Sequence, residues 1–519
     1  TMFDMEGKAV ASKQWKVSEV AHVDFANPAL WWTHDHGTPY LYTYKAVLKD
    51  KKGSVLDTRE GRIGFRRIRL VMNEGAWDEP YLFPKSRSNP PAQFELNGRN
   101  IFAKGTNWLA PDIFIGRITA DTYNRLLNLA VGANMNALRC WGGCAVGKDS
   151  FFELCDEKGI LVWQEFPLSC NAYPDDADYL RVLSREAESI IRRIHPHPCL
   201  ALWCGGNELF NNWSLMDDQS LALRTLNSIC LNLSPEIPFN PTSPLGGMAH
   251  GCYLFDLKDD NVFFWMDKAH NTAFTEFGMP GVSCRKVLES IIPENELFPP
   301  APGGAWEEHH AFNAWGSNAW LDEPTLDKYF GKAADLDELI LNSQTLQCIG
   351  YKLIYEQARR KKPYCAMALN WCYNEPWPAA VNNSLITYPA IVKPALDAVG
   401  ESLRPICASA VAKAFCWKAG EAFKIDLAVL NDSYDMQCCR SYKVRAWVLT
   451  AEGSKVSLVT EDGSDIWTTE VLEQNRNAMG PEVSCILPQS SSRLFTVHVE
   501  VEGFPGMNSD YQYAFACGE

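Results

Sequence analysis

From about residue 73 to residue 400 one pattern repeats: a short, nearly continuous apolar run, then an amphipathic segment with helical spacing. The runs include ANMNALRCW, GILVWQEF, CLALWCGGNE, NTAFTEFG and CAMALNWCYNE. The segments include ITADTYNRLLNLAVG, DSFFELCDEKG, YLRVLSREAESIIRRI and DLDELILNSQTLQCIGYKLIYEQARRKK. In the first segment Tyr123, Leu126, Leu127 and Ala130 fall at i, i+3, i+4 and i+7, the stripe that one helix face buries. Apolar runs without polar alternation need cover on both faces, which a parallel sheet between helices provides. The region is longer than the ~250 residues typical of an eightfold barrel. The expectation is therefore a (β/α)8 TIM barrel over 73–400, with insertions.

The flanks follow a different period. LYTYKAVLKD and EGRIGFRRIRLV alternate around the turn formers DKKGS and HDHGTP, which indicates antiparallel strands. A full immunoglobulin-type sandwich needs about 100 residues, so 1–72 reads as a partial immunoglobulin-like β-sandwich. Alternation returns in KIDLAVLND, SYKVRAWVLT and RLFTVHVEVEG, giving a second β-sandwich over 401–519. The fold class expected is multidomain, a central barrel flanked by immunoglobulin-like β-sandwiches. The first residues, TMFDMEGKAVASKQW, have neither the apolar core nor the cleavage site of a signal peptide. They do not read as a natural start, so a chain truncated upstream is expected, with cytoplasmic and periplasmic locations both open.

A net charge of −15 offers no basic footprint for nucleic acid. No apolar run approaches the ~20 residues of a membrane span. Homo-oligomerisation stays open. The 18 cysteines lie mostly within apolar segments and read as reduced, buried small hydrophobes. CWGGC has the wrong spacing for a zinc knuckle, and HPHPC reads as a turn between helix and strand. EEHH, from Glu307 to His310, lacks zincin spacing and reads as a solvated insertion. No metal and no cofactor are expected.

The apolar runs end in residues that a core strand should not carry. They are Asn107 and Trp108, Arg139 and Trp141, Gln164 and Glu165, Asn207 and Glu208, Glu276, and Asn370, Trp371 and Glu375. Barrel active sites form at the C-terminal ends of the strands, so these positions gather into one candidate site. Two carboxylates flanking a glycosidic bond break it in one of two ways. At about 5–5.5 Å one attacks and the other serves as acid then base, whereas a wider gap leaves room for water. The proton donor needs a raised pKa, which burial and a nearby carboxylate both supply. Burial at the end of its apolar run would raise that of Glu208, but this alone does not assign the roles. The attacking group must stay ionised, and Arg139 is the neighbour suited to that. Trp141 and Trp371 are candidate sugar platforms, with Trp108 and, in HGCYLF, Tyr253 as further contacts. Glu375 reads as structural.

Taken together the motifs resemble glycoside hydrolase family 2, whose retaining exo-glycosidases include β-galactosidases, β-glucuronidases and β-mannosidases. The resemblance runs through nearly the whole chain, without the family's N-terminal sugar-binding jelly-roll. It implies that Glu208, in the Asn-Glu pair after the fourth strand, is the acid/base. It implies that Glu276, in TEFG after the seventh, is the nucleophile, and that Asn207 bonds the sugar 2-hydroxyl. KGTNWLAPD, ANMNALRCWGG and YNEPWP are most similar to the β-mannosidase branch and its exo-β-glucosaminidase and endo-β-mannosidase relatives. WQEF replaces the W-Q-D-F usual in β-mannosidases and follows those relatives, whereas SCNAYPDDADYL follows β-mannosidases. Glu165 of WQEF is thereby a candidate contact for substrate hydroxyls. The implied activity is that of a retaining exo-β-glycosidase, most like a β-mannosidase, acting on an oligosaccharide or β-glycoside. β-Galactosidase, β-glucuronidase, exo-β-glucosaminidase and a catalytically impaired sugar-binding fragment are the alternatives.

Overall fold

The computed structural model describes residues 1–17, 22–78, 89–257, 260–313 and 320–515. Its centre is an eight-stranded parallel sheet curled into a barrel. The strands are β1 (Ala103–Trp108), β2 (Ala137–Cys140), β3 (Leu161–Glu165), β4 (Leu200–Cys204), β5 (Phe239–Asn240), β6 (Met248–His250), β7 (Ala273–Glu276) and β8 (Met367–Asn370). They are hydrogen-bonded in the order β5-β4-β3-β2-β1-β8-β7-β6. The β1–β8 pairing, with Gly105 opposite Leu369, brings the first strand beside the last. β1 to β4 and β7 are buried along their whole length, as their apolar runs require.

The helices begin and bury as their sequences direct. Helix Ala120–Gly132 is capped by the Thr119 hydroxyl, which accepts from Thr122 N–H, and it buries Tyr123, Leu126, Leu127 and Ala130. Asp176 caps Ala177–Ile194 and Asp335 caps Leu336–Arg360 in the same way, satisfying amide groups that have no partner within the helix. Two features depart from an ideal repeat. The step from β5 to β6 is made by residues 241–247 without a helix. The step from β7 to β8 carries four α-helices, Arg285–Ile291, Ala305–Glu308, Glu323–Phe330 and Leu336–Arg360, and these account for much of the excess length. None of the described helices is long and apolar enough to cross a membrane.

Helix Leu336–Arg360 is the inner brace of the barrel. The Tyr355 hydroxyl lies 2.6 Å from Gly105 O on β1 and 2.9 Å from Asn370 Oδ1 on β8. Tyr355→Phe keeps the ring but leaves buried acceptors short of a donor. It is expected to cost about 1–3 kcal/mol of stability, seen as a lower melting temperature; an unchanged one would contradict the bracing role.

Antiparallel sheets flank the barrel. Met2–Phe3, Ala9–Ala11, Tyr42–Lys49 and Val55–Ile63 form one four-stranded sheet. A three-stranded sheet of Ile68–Val71, Gln93–Leu96 and Arg99–Ile101 crosses the boundary expected near residue 72. At the other end, Ile406–Val411, Ala422–Asn431 and Ala478–Ile486 form one sheet, and Leu494–Val501 lies in a second with Lys443–Leu449 and Ser509–Phe515. Strict alternation of burial along Leu494–Val501 is the two-residue period of a strand with one face inward. Asp432 joins this sandwich to the barrel, 2.9 Å from Arg359, 2.7 Å from Lys362 and 3.4 Å from Lys104. Burial opposes its charge, but the three cations hold its carboxyl well below the usual range. None of the described cysteines is in a disulfide, and most are at least half-buried.

Candidate active site

The C-terminal strand ends converge on Arg139, whose side chain is fully enclosed. Its Nη1 donates to Glu276 Oε1 (2.6 Å) and Asn107 Oδ1 (2.5 Å), its Nη2 to Asn207 Oδ1 (2.6 Å) and its Nε to Glu165 Oε1 (2.9 Å). One guanidinium from β2 thus fixes groups from β1, β3, β7 and the turn after β4. Burial alone would disfavour its charge, yet Glu165 and Glu276 together raise its pKa. Five fixed donors suit such a hub better than a lysine ammonium would.

Glu208 reaches the cleft through a tight turn. A Cβ on Gly205 would lie 2.2 Å from Pro241 O, and one on Gly206 2.3 Å from Leu168 O. Only glycine allows the chain to pass this close to its neighbours. Glu208 itself has φ of 53°, a left-handed conformation uncommon for a side chain of this type and concentrated at functional sites. Its Oε1 is 2.8 Å from His250 Nδ1, and its Oε2 accepts from the Cys170 thiol at 3.5 Å. Burial pushes the Glu208 carboxyl up, but the hydrogen bond and charge of His250, with Cys170 and Arg139, bring it below its ordinary value. This corrects the expectation that burial sets its titration.

Glu276 faces Glu208 across His250. Its Oε2 accepts from the Tyr253 hydroxyl at 2.7 Å and lies 3.4 Å from His250 Nδ1. His250 Nε2 meets Ser243 Oγ at 3.1 Å, and Ser243 donates to Thr275 at 3.0 Å. One ligating atom each from Glu208, His250 and Glu276 falls within 4.8 Å of the others, a spacing that also suits a small cation. The Arg139 guanidinium, shared between Glu165 and Glu276, already places a fixed positive charge beside this group.

These groups open onto a cleft of about 840 Å³ lined by Trp141, Trp371, Tyr253, Asn207, Glu208 and Glu276. Trp141 and Trp371 meet edge to face with centroids 4.8 Å apart. The structure thus brings together on the cleft six of the nine residues expected in the site. The other three lie behind it. Trp108 is a core residue, stacked on Tyr373 and 4.9 Å from Phe151, because its ring turns outward to the helices. Arg139 and Glu165 are enclosed, and both Glu165 oxygens are committed, Oε1 to Arg139 and Oε2 to Gly142 N–H at 2.8 Å. Burial pushes the Glu165 carboxyl up despite Arg139. Glu375 is buried against Ser384 and Lys393, away from the cleft as expected.

Further lining residues escape sequence reasoning: Cys170, Trp213, His250, Trp320, Asn382 and His310. His310 corrects the reading of EEHH as a solvated insertion, since it is half-buried on the cleft and burial lowers its pKa. A three-residue β6 has too little periodicity to mark His250; Asn382 ends the two-residue strand Val381–Asn382, and the other four sit on loops.

Comparison with known proteins identifies the architecture. The family model described as glycosyl hydrolases family 2 matches residues 2–66. The β-mannosidase B of Aspergillus flavus is 26% identical over 77% of this chain and 49% of its own length. The β-mannosidase of Bos taurus is 29% identical over 68% and 44%. The crystal structure of a β-D-mannosidase from Dictyoglomus thermophilum superposes with a TM-score of 0.78 at 28% identity, covering 94% of this chain and 58% of that one. Through most of its length the chain is similar to these β-mannosidases, and its first strands match the model of glycosyl hydrolases family 2. It spans about half the length of these curated relatives. An exo-chitosanase of Amycolatopsis orientalis, TM-score 0.69 at 16% identity over 95% of this chain and 56% of that one, shares the fold. The barrel lies between the two sets of β-sandwich strands in sequence, and the cleft opens at the C-terminal ends of its strands.

Proposed function

We propose that this chain carries the catalytic barrel of a retaining exo-β-glycosidase that releases a terminal neutral β-linked sugar, most like a β-mannosidase. The observation that carries the reading is the opposed pair Glu208 and Glu276, with an oxygen of each within 4.8 Å. That gap supports direct attack by one carboxylate and is short for the ~6.5–9.5 Å of inverting enzymes. Glu276, paired with Arg139 and held by Tyr253, attacks the anomeric carbon while Glu208 protonates the departing glycosidic oxygen. Water then attacks the glycosyl–Glu276 ester, giving a proton to Glu208 and restoring both groups.

The sugar class rests on charge. Apart from the two glutamates and the histidines His250 and His310, the described lining is aromatic or uncharged, with no lysine or arginine. A uronic acid would want a cation there and an amino sugar a third carboxylate. The buried Trp141 Nε1–H has no partner among the described residues, so a sugar oxygen would satisfy it. The β-mannosidase names of the relatives agree with a neutral sugar. The test is a panel of aryl β-mannoside, β-galactoside, β-glucuronide and β-glucosaminide, with the first product's anomer followed by NMR. The mannoside is expected to be turned over fastest and to yield β-mannose first. A preferred glucuronide or glucosaminide, or an α-product, would overturn the assignment.

A further inference from the structure

A second cavity, of about 350 Å³, lies between helix Leu336–Arg360 and the C-terminal sandwich. It is separate from the catalytic cleft. Tyr351 and Tyr355 turn toward the barrel strands, where the Tyr351 hydroxyl donates to Trp371 O at 3.1 Å. Lys352, Glu356 and Arg360 line the cavity from the same helix. Its size falls within the range of small-molecule sites.

Its chemistry is unusual for a junction between domains. Lys352 and Glu356 are 7% and 3% exposed, and their charged atoms are 3.2 Å apart. Yet neither Lys352 Nζ nor Glu356 Oε1 has a hydrogen-bond partner among the described residues. Lys352 Nζ also lies 3.5 Å from Glu401 Oε2, so the cluster is paired in charge but short of hydrogen bonds, which is costly in a buried site. The other Glu356 oxygen is fixed, accepting from the Tyr511 hydroxyl at 2.7 Å. The Lys352 ammonium sits over the Tyr511 ring, 4.9 Å from its centroid. Tyr513, two residues along the same strand face, adds a second aromatic wall.

We infer that this cavity is a binding site for a neutral mono- or disaccharide, distinct from the catalytic cleft. A hydroxyl both accepts and donates, so adjacent sugar hydroxyls satisfy the Lys352 ammonium and Glu356 Oε1 at once. Apolar residues of the lining, among them Phe263, Ile349, Leu353 and Val411, supply surface for the C–H face of the ring. Charge argues against an anion, because Glu356, Glu401 and Asp510 outnumber Lys352 and Arg360 on the lining. Arg360 is also already committed, its Nη1 donating to Ser409 Oγ at 3.1 Å.

The test is isothermal titration with D-mannose and D-glucose, and with inorganic phosphate as the charged comparator. It compares the unaltered protein with the double variant Lys352→Met/Glu356→Gln, which removes both partners of the ion pair and so leaves no buried orphan charge. Crystals soaked in each hexose locate the bound sugar. The expected result is a hexose in the cavity within hydrogen-bond distance of Lys352 and Glu356. Its affinity should fall at least about tenfold in the double variant, the size of one lost charge-assisted bond, with aryl-glycoside turnover unchanged. An empty cavity in both soaks, phosphate bound in place of hexose, or cavity binding unaffected by the double variant would each overturn the inference. None of these outcomes depends on the catalytic assignment.

Discussion

Glu276→Ala is expected to abolish turnover of an aryl β-mannoside, by about 10⁴- to 10⁶-fold, the scale seen when a nucleophile is removed from a site whose groups act as a unit. The fold should survive. Arg139 keeps Glu165, Asn107 and Asn207 as partners, so the hub loses one of its four side-chain contacts. The truncated side chain leaves a space beside Arg139 Nη1, which loses its carboxylate acceptor while Glu165 stays on Nε, and a small anion can take that place. Azide added to the variant should therefore restore part of the rate. It attacks the anomeric carbon from the side Glu276 occupied, and no second displacement follows, so the product should be the α-glycosyl azide. A variant that melts like the unaltered protein and shows neither rescue nor α-azide would falsify the nucleophile assignment. Rescue with a β-product would place the attacking group elsewhere on the cleft.

The parts of this architecture legible in the sequence are those set by local period. The stripe Tyr123, Leu126, Leu127 and Ala130 is the set helix Ala120–Gly132 buries, because 3.6-residue spacing is a property of the segment alone. Polar residues at the ends of apolar strands were equally legible, and they converge because a barrel brings its strand ends together. Orientation within the ring of strands was not. Asn107 and Trp108 are adjacent in β1, so their side chains point to opposite faces, Asn107 inward to Arg139 and Trp108 outward to Phe151. Glu165 read as a substrate contact because the resemblance of WQEF to the family motif implies one. Only the geometry shows both of its oxygens occupied by Arg139 and Gly142. His250 was beyond reach for a different reason: it matters through contacts with Glu208, Glu276 and Ser243 that are remote in sequence.

Glu208→Ala is the second large effect, and it depends on the leaving group. General acid catalysis contributes about 10²- to 10⁴-fold, needed in full when the departing group is a sugar hydroxyl and hardly at all when it is an acidic phenol. The variant should thus lose about 10²- to 10⁴-fold on a mannobiose-type substrate. Formation of the glycosyl–Glu276 ester from a dinitrophenyl glycoside should stay close to normal, and the ester should then accumulate because its hydrolysis lacks a base. Equal losses on both substrates would assign Glu208 to binding. The environment of Glu208 adds a pH signature. Burial favours its neutral form, but His250 at 2.8 Å stabilises the carboxylate, and the balance falls below the ordinary value. The acid form needed for protonation is therefore lost early as pH rises, so kcat/KM should decline on an alkaline limb set by this carboxyl. His250→Phe removes the stabilising partner and leaves burial dominant. Less stabilisation of the anion raises the pKa, keeps Glu208 protonated to higher pH, and moves that limb upward. A limb that stays in place, or moves down, would mean that another group than Glu208 delivers the proton.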